Sequence, residues 1–107
     1  MIYEMRVYEA ALGKMEALHK HFADDVTGFF EKHGMQAIGY WTDIVGTSNR
    51  LTYILAFEDL ADRERKFAAL RSDPEWGESL RESERDGPTV ARFSNTIMLP
   101  TPYSPLQ

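Results

Sequence analysis

Two histidines on the first predicted helix, His19 and His33, are candidates for proton transfer or ligand binding, because imidazole titrates near neutral pH. They are too far apart to share a metal ion, at about 21 Å along a helix that rises about 1.5 Å per residue. No spacing resembles a metal motif such as His-Glu-x-x-His, so no metal site is predicted. Alternatively, His33 is a helix C-terminal residue favoured by the macrodipole, and His19 is a half-buried residue beside the core.

Arg63 is the charged side chain with the most informative position. It falls between Leu60, Phe67 and Leu70 on the side of a predicted helix that faces the core. A guanidinium at such a position needs a carboxylate, a carbonyl or an anionic ligand as its partner. The alternative is that its aliphatic stem packs against the core while its charged end reaches solvent.

Glu4 and Arg6 lie two residues apart and therefore share one face of the first predicted strand. In a cavity this pair could polarise a bound ligand. The favoured interpretation is structural, with the two charges paired inside a barrel or across a dimer interface.

Large aromatic residues suggest a pocket between sheet and helices that would suit a flat apolar ligand. The alternative is that they fill a small core. The predicted ligand-binding residues are His19, His33, Tyr40, Trp41, Arg63 and Trp76. No serine has the Gly-x-Ser-x-Gly context and no glycine-rich phosphate loop occurs, so the sequence predicts neither a catalytic residue nor a cofactor.

Composition limits the class of protein. A chain of 107 residues forms a single domain, 1–107, with a modest core. The absence of cysteine excludes disulfides and thiolate chemistry, and the net charge of −5 argues against nucleic-acid binding. There is neither an apolar run long enough to span a bilayer nor a leader at Met1, which predicts a cytoplasmic protein without membrane contact.

Hydrophobic periodicity predicts four strands and three helices. The strands are 1–9, 35–45, 51–57 and 89–99; the helices are 14–33, 60–71 and 74–84; residues 100–107 form an extended tail. The order β-α-β-β-α-β predicts an α+β, ferredoxin-like fold, with a four-stranded antiparallel sheet and helices on one face.

Side-chain periodicity also predicts which faces are buried. The stripe of the first helix that faces the core is predicted to carry Met15, Leu18, Phe22, Val26, Phe29 and His33, with His21 pointing away from it. The core face of the first strand is predicted to carry Tyr3, Met5 and Val7. The other face of the sheet would then be bare at Ile2, Tyr8 and Ile54. A second copy covering this face predicts a homodimer.

Five segments together resemble the NIPSNAP family over nearly the whole chain. They are Ile2–Tyr8, His33-Gly34 followed by Gly39-Tyr40-Trp41, Arg63-Glu64-Arg65, Ser72–Trp76 and Tyr103–Leu106. The resemblance implies a dimeric α+β barrel, in which two ferredoxin-like sheets close around one interior. That superfamily includes cofactor-independent monooxygenases, haem-degrading enzymes and stress-responsive proteins, so the resemblance selects no chemistry.

The leading functional hypothesis is a homodimer that binds a small apolar or aromatic molecule between the sheet and the helices. One alternative is a cofactor-independent monooxygenase-type enzyme, in which His33 or Arg63 assists proton movement. Another is a non-catalytic dimeric interaction module that presents the C-terminal tail to a partner. Whether the protein is an enzyme stays open at this point.

Overall fold

A computed structural model describes residues 1–107. Its elements are β1 (Ile2–Ala10), α1 (Met15–His21), a π-helical turn (Phe22–Val26), α2 (Thr27–Lys32), β2 (Gln36–Thr42), β3 (Arg50–Phe57), α3 (Leu60–Arg71), α4 (Pro74–Ser83) and β4 (Val90–Met98). None of the helices has both the length and the apolar character needed to cross a bilayer. The predicted α+β, ferredoxin-like fold is confirmed, since this element order belongs to that arrangement.

The four strands form one sheet in the order β2-β3-β1-β4, with every neighbouring pair antiparallel. The two central strands are therefore β3 and β1. Their register places Arg6 opposite Tyr53 on β3 and opposite Asn95 on β4. Because directly opposite residues point to the same side of a sheet, these three side chains share the face that the helices cover.

The side chains of β1 face the opposite way from the prediction. Ile2, Glu4, Arg6 and Tyr8 point towards the helices, beside the buried β3 residues Tyr53, Leu55 and Phe57, whereas Tyr3, Met5 and Val7 lie on the open face. The prediction was wrong because it took charge as a sign of the outer face. The charges instead pair with one another inside the protein, which removes most of the cost of burying them.

Segments α1, the π-helical turn and α2 form one continuous helix. Its buried hydrophobic residues follow one another at intervals of four positions: Leu18, Phe22, Val26 and Phe30. In a regular α-helix this spacing drifts by about 40° around the axis at each step. The wider π-helical turn takes up part of that drift and keeps the four side chains in line.

The helical stripe was accordingly predicted only in part. Phe30, which the predicted stripe did not include, is buried, while Met15, Phe29 and His33 are half-buried. His21 was placed away from the core and is instead buried. A uniform helical wheel cannot represent the π-helical turn, nor can it show that α4 covers the side on which His21 lies.

The C-terminal tail, residues 100–107, was predicted to be extended but contains a turn, in which the Ser104 amide donates to the Thr101 carbonyl. The Tyr3 hydroxyl donates to the carbonyl of Gln107 at 2.8 Å. The tail therefore packs on the open face of its own sheet and buries Tyr3 at one end of that face.

Asp73 joins the end of α2 to the start of α4. Its Oδ1 accepts from the Glu75 amide as the N-cap of α4, and its Oδ2 lies 2.8 Å from both Lys32 Nζ and His33 Nε2. Lys32, and then His33, lower the pKa of the Asp73 carboxyl to about 2. His33 therefore has a structural partner in this fold.

Replacing Asp73 should reduce the change in folding stability that accompanies acidification below pH 4. The Asp73 pKa is lower in the folded state than its ordinary value of 3.8, so its stabilisation is present above that value and is lost as pH falls towards about 2. We expect Asp73→Ala, which removes cap and charge, to lower Tm by about 5 °C at pH 7. Asp73→Asn keeps a capping oxygen but lacks the charge. In thermal unfolding, the difference in Tm between Asp73→Asn and wild type should shrink as the pH falls from 4 to 2. A constant difference between these two proteins across that range would contradict the assignment.

Candidate functional site

A cavity of about 110 Å³ lies between the helix-covered face of the sheet and the helices. Eleven of its fifteen lining residues are hydrophobic, including Leu18, Phe22 and Val26 on the long helix. The other four are Arg6 on the sheet, His21 on the helical side, and Glu84 and Thr89 towards the end of α4 and the start of β4. The eleven include Tyr8 and Tyr53 of the sheet, whose hydroxyls add to the polar groups. A mostly apolar space with a few polar groups is the usual composition of a small-molecule site.

Arg6 organises the polar groups on the sheet side of the cavity. Its guanidinium donates from Nε to the Tyr53 hydroxyl at 2.8 Å, from Nη2 to the Tyr8 hydroxyl at 3.2 Å and from Nη1 to Glu4 Oε2 at 2.6 Å. The rings of Tyr8, Tyr53, Phe67 and Phe93 surround it, with centroids 5.3–6.0 Å from Cζ. Aromatic faces and fixed acceptors together hold this cation in one orientation.

The two tyrosine hydroxyls lie 2.9 Å apart, and each accepts a hydrogen bond from Arg6. One hydroxyl donates to the other, so of their two protons one has no acceptor within the protein. Burial raises the pKa of Tyr53 well above its ordinary value, and Tyr8 raises it further. Tyr53 is therefore protonated at neutral pH and donates to Tyr8, and the Tyr8 hydroxyl can donate one hydrogen bond into the cavity.

Glu4 is the anion that balances this site. It is fully buried and accepts from Arg6, from Arg63 and, at 3.2 Å, from Asn95. Burial alone would raise the pKa of the Glu4 carboxyl, but the hydrogen bonds from Arg63, Arg6 and Asn95 outweigh it and the pKa is lowered. Glu4 is therefore ionised, and the carboxylate partner that Arg63 requires is in this chain. Arg63 also contacts the exposed Glu64.

His21 lines the cavity from the helical side. Its side chain is 6% exposed, and its Nδ1 lies 3.6 Å from Asp25 Oδ2, beyond hydrogen-bond distance. That nitrogen is buried and has no hydrogen-bond partner. Burial lowers the pKa of the His21 imidazole, although Asp25 opposes the effect. A neutral imidazole has one nitrogen that can accept a hydrogen bond.

The six predicted ligand-binding residues are not brought together at one site. Trp76 lines the cavity, Arg63 lies behind it on Glu4, and His33 is bound to Asp73. His19 is exposed and borders a separate open cleft at the β2 edge of the sheet, together with Tyr40 and Trp41. Their roles in ligand binding stay predictions. No group of three or more acidic or histidine side chains is placed to hold a metal ion.

Sequence reasoning missed three cavity residues, Tyr8, Tyr53 and His21. Tyr8 lies two positions after Arg6, so the shared strand face was a signal that could have linked them. Tyr53 could have been linked to Arg6 only if the register between β1 and β3 were known. His21 carried no signal, because its burial depends on α4.

Replacing Glu4 should strongly destabilise the protein, because two guanidinium groups would keep their positions without a shared anion. We expect Glu4→Gln to lower the free energy of unfolding by about 3–5 kcal/mol. Glu64→Gln is the matched control: its carboxylate also contacts Arg63 but is 63% exposed, so its loss should change stability by about 1 kcal/mol or less. Urea denaturation measures both. Equal effects of the two substitutions would refute the central role of Glu4.

The comparisons with known proteins agree with this architecture. The family model described as NIPSNAP matches residues 3–105. A NIPSNAP family protein with unknown function from Agrobacterium tumefaciens is 33% identical, with 100% of this chain and 94% of that chain covered and a TM-score of 0.88. An uncharacterized NIPSNAP-like domain protein from Burkholderia xenovorans is 31% identical over 97% of this chain and 88% of that chain, with a TM-score of 0.86.

A more distant similarity concerns the fold alone. A candidate antibiotic biosynthesis monooxygenase from Nitrosomonas europaea is 12% identical, with 96% of this chain and 100% of that chain covered and a TM-score of 0.66. Shared fold at this identity carries no shared chemistry. No curated protein has a significantly similar sequence. With the family model covering nearly the whole chain and close structural relatives over its full length, this chain belongs to the NIPSNAP family.

Proposed function

We propose that this NIPSNAP protein is a homodimer that binds a small aromatic molecule in the cavity between its sheet and its helices. The observation that carries the proposal is the largely apolar cavity bounded on the sheet side by Arg6, Tyr8 and Tyr53, whose hydroxyl pair has one proton without an acceptor. An apolar space would bind the ring, and the polar groups would bind one substituent of it.

The size of the cavity favours a single-ring ligand. An engineered apolar cavity of about 150 Å³ in another protein binds benzene. The volume of about 110 Å³ found here is of the same order. Because Glu84, Thr89 and Val90 also line it, the cavity extends to where α4 ends and β4 begins. A substituted benzene ring would therefore be accommodated better than a fused polycyclic compound.

The polar groups favour a hydrogen-bond acceptor on that ring. Arg6 and Tyr8 are donors here, since a guanidinium cannot accept and the Tyr8 hydroxyl already accepts from both Tyr53 and Arg6. A ketone, aldehyde or carboxylate oxygen would take up the unused hydroxyl proton. A ring without an acceptor would leave this proton unpaired, at the cost that accompanies an unsatisfied buried donor.

The open face of the sheet supports the dimer. Met5, Val7 and Ile54 lie on it, and the edge residues Ile38 and Trp41 are 37% and 49% exposed. The chain's own tail packs at the end near Tyr3, where Ser104 and Leu106 line a cleft together with Ile38 and Ile54. Thr52, Ser94 and Thr96 lie beside these apolar side chains, and a second sheet that removed the apolar side chains from water would stabilise them.

A charge on the open face should dissociate the proposed dimer. Ile54 is near the centre of the sheet, so Ile54→Lys would place an ammonium group in the interface. We expect sedimentation velocity to show a dimer for wild type and a monomer for Ile54→Lys. Ile44→Lys, in a fully exposed loop, is the control and should remain dimeric. A wild-type monomer, or a dimer of unchanged stability in Ile54→Lys, would overturn the proposed interface.

Ligand binding can be followed at the indole N–H of Trp76, which lines the cavity, with the indole of Trp41 as an internal reference outside it. Titration with acetophenone should produce saturable NMR shifts at Trp76 and none at Trp41. Val90→Phe, which fills part of the cavity, should weaken binding at least tenfold, whereas Val45→Phe, in an exposed loop, should not.

The same spectra report whether each variant is folded. The binding proposal would be abandoned if acetophenone and benzoate both failed to shift Trp76. It would also be abandoned if the folded Val90→Phe variant bound acetophenone as tightly as wild type does.

A further inference from the structure

His21 is a second polar position in the cavity and one to which the fold assigns no partner. It is among the few charged or polar residues that are almost fully buried, at 8% exposure, and its Nδ1 is buried without a hydrogen bond. Buried polar atoms in native proteins are nearly always paired. An unpaired nitrogen on a cavity-lining side chain is therefore an observation that a bound ligand would explain.

The surroundings of His21 hold the ring in place. Ser79 of α4 donates to Asp25 Oδ2 at 2.8 Å, and the same oxygen is 3.6 Å from His21 Nδ1. The Trp76 ring lies 6.3 Å from the imidazole at an interplanar angle of 31°. Asp25 and Glu84 are the acidic groups whose charges raise the pKa of the imidazole. Burial lowers this pKa by more than they raise it, so the imidazole is neutral at pH 7. His21 thus presents a positioned hydrogen-bonding ring to the cavity.

His21 and the Arg6–Tyr8 pair approach the cavity from different layers of the fold. Tyr8 is on the sheet, His21 is on the long helix, and the Phe22 ring is near both, 5.8 Å from Tyr8 and 6.4 Å from His21. Arg6, Tyr8 and His21 all line the one cavity, so a ligand in it can contact the donors of the sheet and the imidazole of the helix together. A ring with a polar substituent at each end matches this arrangement.

We propose that the ligand is a hydroxyaryl carbonyl compound, whose carbonyl oxygen accepts from Arg6 and Tyr8 and whose phenolic hydroxyl donates to His21. This inference rests on the proposed function and specifies the class of ligand for the same cavity. It assigns His21 a role in specificity: the imidazole favours a phenol over the same ring without a hydroxyl, because the unsubstituted ring leaves the imidazole nitrogen unpaired.

The test compares two ketones that differ by one hydroxyl, 4-hydroxyacetophenone and acetophenone. We expect wild type to bind the hydroxylated ketone about tenfold more tightly, which is the effect of one neutral hydrogen bond. His21→Phe should bind the two ketones equally. His21→Gln, whose amide oxygen can accept, should recover part of the preference. His19→Phe, at the separate exposed cleft, is the control and should behave as wild type.

A second readout separates this role from a purely structural one. Long-range ¹⁵N spectra of the imidazoles should show the His21 nitrogens shifting with 4-hydroxyacetophenone and remaining unchanged with acetophenone. If both ketones bind with equal affinity to wild type and to His21→Phe, the role of His21 is wrong while the binding function stands. If neither ketone binds wild type, the proposed function fails and this inference fails with it.

Discussion

The carboxylate of Glu4 is completely buried, and three cationic or polar side chains from β1, α3 and β4 donate to it. Removing this anion from water costs several kcal/mol, which only a full set of partners can offset. The requirement fixes the distance between α3 and the sheet through Arg63, and it fixes the orientation of Arg6. Arg6 in turn donates to both tyrosine hydroxyls. The polar part of the cavity therefore depends on the Glu4 carboxylate, which does not itself line the cavity.

Packing of the long helix defines the other side of the same cavity. A chain of aromatic contacts runs from Tyr53 through Phe22 to His21 and Trp76, with centroid separations of 5.3, 6.4 and 6.3 Å. The π-helical turn that begins at Phe22 follows His21 directly. Such turns are rare and occur frequently at functional sites. Here the turn keeps the apolar stripe aligned on the sheet while His21 is turned towards α4 and the cavity.

The two faces of the sheet have different roles in the proposed ligand-binding homodimer. The covered face carries the buried charges and the cavity, and the open face carries Met5, Val7 and Ile54 beside the polar residues Thr52, Ser94 and Thr96, with the C-terminal tail at one end. A chain of 107 residues buries a limited part of its surface on its own. A dimer formed through the open face would extend the apolar interior without altering the cavity, so binding and association can be tested separately.

The sequence by itself determined the order of elements, the antiparallel sheet and the helix bounded by Leu60 and Arg71. These features follow from local periodicity, caps and turn residues, which the chain carries in every conformation. It also identified Arg63 as a charge on the core-facing side of that helix, but only the tertiary structure decided that its partner is Glu4. The face that β1 presents to the helices was decided only by the tertiary structure. Both of its faces carry apolar residues, and which face is buried depends on the register with β3 and on which charges meet.

The burial of His21 and the separation of Tyr40 and Trp41 from Trp76 were likewise decided by tertiary structure. The burial of His21 depends on the π-helical turn and on the docking of α4 through Asp73. Tyr40 and Trp41 lie apart from Trp76 because β2 is an edge strand. Local sequence encodes which residues can be buried. Which of them meet in one cavity depends on contacts between residues that are distant in the chain, and a single sequence does not reveal those pairings.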